Sequence, residues 1–171
     1  MSRTIPGMVL AVAMATAPVA YAQAQEHAHG EDAQHAHQSH GAQGAELHSL
    51  QLNDGSQWET DAPLRKAMAR LRQDIHPLMP NIHQDELSEE RYDALAVSVN
   101  DQVAYMIEHC ELEGEADAQL HLVIADLMTG ADVMQGKTTG QARRNGAIRV
   151  VGALNNYATY FNDPEFEKLG H

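Results

Sequence analysis

The sequence predicts an all-α protein: an antiparallel up-down-up-down four-helix bundle preceded by a disordered histidine-rich arm. Three observations predict it. Apolar residues recur at steps of three and four in four successive segments after Trp58. No segment alternates apolar and polar residues in the two-residue rhythm of a half-buried strand. The connections between the four segments are short, which makes consecutive helices antiparallel neighbours.

Residues 1–22 read as a secretory signal peptide. Arg3 gives a weakly basic start, the run MVLAVAMATAPVA is apolar, and Ala20-Tyr21-Ala22 places small residues at an A-x-A cleavage site. The run is too short for a comfortable membrane span. The mature protein is expected to be exported to a periplasm and to have no membrane association after signal cleavage.

Residues 23–49 form the arm. Glu26–His48 reads EHAHGEDAQHAHQSHGAQGAELH, with Leu47 its only large apolar side chain. A segment this polar does not offset its own ordering entropy. Six of the eleven histidines fall in it: His27, His29, His35, His37, His40 and His48. Neutral imidazole binds copper, zinc and nickel, and a polar tract with HxH pairs wraps an ion with little steric demand. These six are the leading metal-ligand candidates.

The body is expected over residues 50–166, with a tail over 167–171. Leu50–Trp58 is a lead-in whose Asn53-Asp54-Gly55 signals a turn and whose Trp58 is expected to cover one end of the bundle. The first helix has Thr60 or Asp61 as cap and Pro63 in its first turn. Its stripe is Leu64, Met68, Leu71, Ile75 and Leu78, and Pro77 and Pro80 are expected to end it. The second starts at Ser88, with Glu89 and Glu90 suited to the positive helix end. Its stripe runs through Tyr92, Leu95, Val99, Val103, Met106 and Cys110. The third follows ELEGE and carries Ala116, Leu120, Val123, Ile124, Leu127, Ala131 and Met134, with Gly136 at its end. The fourth starts near Thr138 or Thr139 and carries Ala147, Val150, Val151, Leu154, Tyr157, Ala158 and Phe161. Asn162-Asp163-Pro164 stops it. Gly146 and Gly152 lower helix propensity and are read as marks of close approach to a neighbouring helix.

Within the body, Asp117, His121 and Met128 fall on one edge of the third helix, four and seven residues apart. With His109 or Cys110 from the second helix, that edge is the candidate for a soft copper site. The alternative is a surface His121 paired with Asp117 as helical neighbours. Cys110 is the only cysteine, so no internal disulfide forms, and its stripe position reads as a core thiol. Met68, Met106 and Met134 read as packing. Arg143 and Arg144 open the fourth helix as surface charge or as an anion contact.

Several classes drop out. No CxxCH occurs, so covalent haem is excluded. A non-covalent b-type haem needs a Met–His or His–His axial pair on different helices, for which Met68, His109 and His121 are the available residues. No ExxH places both residues inward on these helices, as a di-metal carboxylate centre requires. There is no GxSxG, HExxH, CxxC or phosphate-binding glycine loop, and no enzyme activity is expected. A formal net charge of −13 repels nucleic acid and anionic membrane and suits cations and basic partners.

The predicted architecture resembles the cytochrome b562 and cytochrome c′ type of exported helical bundle. More specifically, QLNDGSQWETDAPLR, EADAQLHLVIADLMTGADVM and VVGALNNYATYFNDP resemble a group of small exported proteobacterial proteins. These motifs lie within Gln51–Pro164. The resemblance implies a haem-free bundle in a metal-resistance setting and supplies no ligand residue. The resulting expectation is a periplasmic copper- or zinc-binding protein whose arm captures the ion and whose bundle is a scaffold or offers a second site at His121, Met128 and His109. Two alternatives stand beside it: a b-type haem electron-transfer bundle, and a non-catalytic module that binds a periplasmic protein. Oligomeric state is open, with a homodimer through two helix faces among the expectations.

Overall fold

The computed structural model describes residues 49–112 and 114–170. The described chain is all-α, and its backbone pairing outside helices is confined to two isolated bridges. Four long helices carry the core: α1 (Ala62–Ile75), α3 (Glu89–His109), α4 (Gly114–Met134) and α5 (Arg143–Tyr160). A 3-10 turn (His76–Leu78) and the short α2 (Met79–Gln84) join α1 to α3. The main packing contacts run α1 to α3, α3 to α4 and α4 to α5.

Asp61 caps α1, its Oδ1 accepting the Leu64 N–H at 2.8 Å, and Pro63 sits in the first turn. Leu64, Met68, Leu71 and Ile75 are buried as their spacing predicts. α1 ends at Ile75 as expected, but Pro77 and Pro80 do not end helical structure. Each stands in the first turn of a new helical segment, where a missing N–H costs nothing. The restart buries Met79 and Ile82.

Ser88 precedes α3, but its side chain makes no capping bond to the helix backbone. The helix stops one residue before Cys110, which has extended backbone angles and is half-buried. The thiol expected inside a helical stripe therefore sits at the helix end. Gly136 closes α4 in the left-handed region at φ 69°. The Gly136 N–H bonds the Val133 carbonyl and the Lys137 N–H bonds the Asp132 carbonyl, each at 3.0 Å, the paired bonds of a Schellman end.

The helix α4–α5 contact is set by two glycines. A Cβ on Gly146 would strike the Gly130 carbonyl oxygen and come within 2.6 Å of the Met134 nitrogen. A Cβ on Gly130 would come within 2.7 Å of Val150 Cγ2 and 2.8 Å of the Gly146 oxygen. Gly146 thus marks a close approach, as expected. Gly152 does not, because a Cβ there meets nothing within 4 Å.

Trp58 is buried over one end. Its N–H bonds the Tyr160 carbonyl and its carbonyl accepts the Asn162 N–H, both at 2.8 Å. Its indole N–H donates to the Gln51 carbonyl at 2.7 Å. The C-terminal residues also join the body: Leu169 is buried in the core and Phe166 packs against it.

Candidate metal-binding residues

The six arm histidines, His27, His29, His35, His37, His40 and His48, lie outside the described residues. The body candidates are described, and all three are exposed. His121 is exposed on α4, with Nδ1 2.9 Å from the Asp117 carbonyl oxygen and 3.4 Å from its Oδ2. This is the helical-neighbour pairing weighed against a copper site. Met128, two turns on, is 47% exposed. His109 stacks on Tyr105 with centroids 4.4 Å apart, and its Nε2 lies 3.7 Å from the adjacent Glu108 carboxylate.

Two contacts show why these residues do not share a centre. Lys66 of α1 sits 4.7 Å over the Tyr105 ring, so Tyr105 and the His109 ring on it lie on the flank of α3 that faces α1. His121 precedes Gly130 by nine residues, which is half a turn of rotation at 100° per residue. Gly130 faces α5, so His121 faces away from it. Among the described residues no group of three His, Cys, Asp or Glu side chains is placed to hold a metal ion.

Cys110 is held as a thiol. Burial, then the charge and hydrogen bond of Asp61, then the charge of Asp117 push it up to about 12 from an ordinary 9.0. A soft ion would have to displace that proton. Met68, Met106 and Met134 are fully buried and act as packing. His76, His83, His109 and His121 are all exposed, so the described residues hold no buried Met–His axial pair for a haem beside Met68.

Arg143 and Arg144 are committed to the fold. Arg143 donates to the Asp93 carboxylate and the Met134 carbonyl. Arg144 donates to the carbonyls of Ile82 (2.7 Å) and His83 (3.1 Å), closing the end of α2.

Charge is sorted by helix. α1 carries Arg65, Lys66, Arg70 and Arg72 against Asp74, and α5 carries Arg143, Arg144 and Arg149 with no acid. α3 carries Glu89, Glu90, Asp93, Asp101 and Glu108 against Arg91, and α4 carries Glu115, Asp117, Asp126 and Asp132 with no base. The net charge alone does not reveal this sorting. Counting charge per predicted helix would have found it. No described helix is long and apolar enough to cross a membrane.

No protein-family model, curated protein or solved structure matches the chain.

Proposed function

We propose that this is an exported transition-metal-binding protein, for copper or zinc, in which the arm captures the ion and the helical body is its scaffold. The observation that carries the reading is the density of imidazole in Glu26–His48, six histidines in a stretch otherwise short of large side chains. The mature form begins at Gln23 and resides in the periplasm. The body is an up-down-up-down antiparallel bundle; the short links and the sequential packing of α1, α3, α4 and α5 support that topology. His121, Met128 and His109 are secondary ligands at most, each acting alone with groups from the arm.

A competitive titration with Cu(I), Cu(II) and Zn(II) tests the reading, run on residues 23–171 and on a form beginning at Ser49. Binding should fall by about tenfold or more on truncation, as the loss of a multidentate imidazole site requires. Equal binding by both forms moves the site into the body. Binding no tighter than that of a scrambled histidine peptide in either form removes the metal reading.

A further inference from the structure

Past Asn162-Asp163-Pro164 the chain turns back and runs along α1 and α5. Phe166 sets its ring edge-on to Tyr157, centroids 5.1 Å apart, and Leu169 is 2% exposed. Three side chains hold the segment between these anchors. Asn155 of α5 donates from Nδ2 to the Leu169 carbonyl at 3.1 Å and accepts the Leu169 N–H on Oδ1 at 2.8 Å. Arg72 of α1 donates to the Glu167 carbonyl at 2.8 Å and to its carboxylate at 3.1 Å. Tyr157 donates to Asp163 at 2.8 Å. A cavity of about 290 Å³ stays open along this line, walled by Arg65, Lys66 and Arg72 on one side and by Asp163, Glu165 and Phe166 on the other.

We propose that the α1–α5 seam is a peptide-docking groove and that residues 163–170 are its resident ligand. The external ligand it fits is a partner segment of the same chemistry: carboxylates around an aromatic residue, with a leucine three positions further on. The mode of capture carries the inference. Covering Phe166 and Leu169 needs only apolar packing. Here one side-chain amide reads both main-chain polar groups of one residue, and one guanidinium reads a carbonyl and a carboxylate together. Main-chain capture of this kind holds an extended segment and leaves specificity to the pockets. The charge agrees on the α1 side, where Arg65, Lys66 and Arg72 line the cavity opposite Asp163 and Glu165 and Arg72 pairs with Glu167. The short tether gives the resident segment a high effective concentration, so the groove is closed until the segment lifts. None of this depends on metal binding.

Native-state hydrogen exchange on the intact chain is the first test. The Leu169 N–H is expected to open about tenfold or more often than the N–H groups of Val150 and Leu154 in α5. A fluorescent peptide of residues 162–170 is then titrated into the full-length chain carrying Phe166→Ala and Leu169→Ala, which weaken the resident segment. Capture should be about tenfold or more tighter than by the unaltered chain, and adding Asn155→Ala should abolish the gain. A peptide with Glu165 and Glu167 replaced by Lys should bind more weakly. Exchange of Leu169 in step with Val150 and Leu154 would mean that the segment leaves only on global unfolding, and overturns the proposal. A loosened chain with native helical circular dichroism that captures no more peptide than the unaltered one overturns it too. Should the loosened chain fail to fold, the exchange measurement decides alone.

Discussion

One carboxylate ties three parts of the chain together. Asp61 Oδ1 caps α1, Oδ2 accepts the Glu111 N–H at 2.8 Å, and the Cys110 thiol bonds to the same group. The result is a thiol that resists ionisation. Raising it from 9.0 to about 12 lowers the thiolate fraction at pH 8 by about a thousandfold, and the greater nucleophilicity of a high-pKa thiolate recovers only part of that. Alkylation of Cys110 by iodoacetamide at pH 8 should therefore run roughly a hundredfold slower than that of free cysteine. Asp61→Asn keeps a good cap for α1 and removes the charge. It should speed alkylation, whereas a rate unchanged by Asp61→Asn would leave burial and the charge of Asp117 as the causes. The stability linkage follows from the direction of the shift. The folded value lies above the unfolded one, so the contribution is whole below about pH 9 and is lost as pH rises toward 12.

Two glycines six residues apart on α5, Gly146 and Gly152, should respond with opposite sign. Gly146→Ala drives a methyl into the Gly130 backbone and the Met134 nitrogen, neither of which is a flexible side-chain end. The strain should destabilise the fold by about 1–3 kcal/mol. Gly152→Ala meets nothing within 4 Å and gains helix propensity, so it should stabilise by about 0.5–1 kcal/mol. Urea unfolding of the two variants measures both, and a loss at Gly152 would contradict the open space beside it. The stripes that bury Leu64, Val99, Leu127 and Leu154 were legible because helical periodicity is a local property. The Gly130–Gly146 contact was only half legible: propensity flags a glycine but does not name its partner on another helix. Proline chemistry is equally compatible with a stop and with a restart, so Pro77 and Pro80 announce the end of α1 but not the new turns that they open. Phe166 and Leu169 follow a strong stop signal and have no period to announce them. In the site, the edge shared by Asp117, His121 and Met128 was legible. The flank on which His109 lies was not, since packing against Lys66 of α1 decides it.

Taken whole, the molecule pairs an acidic chain with a segment rich in neutral imidazole, and the two act on a metal ion differently. A net charge of −13 draws cations of every kind, is felt only within a Debye length of about 8 Å at physiological salt, and is unaltered between pH 5.5 and 7.5 apart from histidine itself. Imidazole selects borderline and soft ions, and binds only when neutral. With an ordinary imidazole value of about 6.5, each ligand loses roughly tenfold in its neutral fraction from pH 7.5 to pH 5.5. Two arm histidines acting on one ion then cost about a hundredfold in affinity across that window, and three about a thousandfold. A Zn(II) titration of residues 23–171 at the two pH values, in constant salt, therefore counts the imidazoles at the site. A loss of about a hundredfold or more fits capture by the arm. An affinity flat between pH 5.5 and 7.5 would mean that carboxylates hold the ion, and would sink the assignment of His27, His29, His35, His37, His40 and His48 as ligands. The form beginning at Ser49 supplies the control, because it keeps most of the acidic charge and discards all six imidazoles.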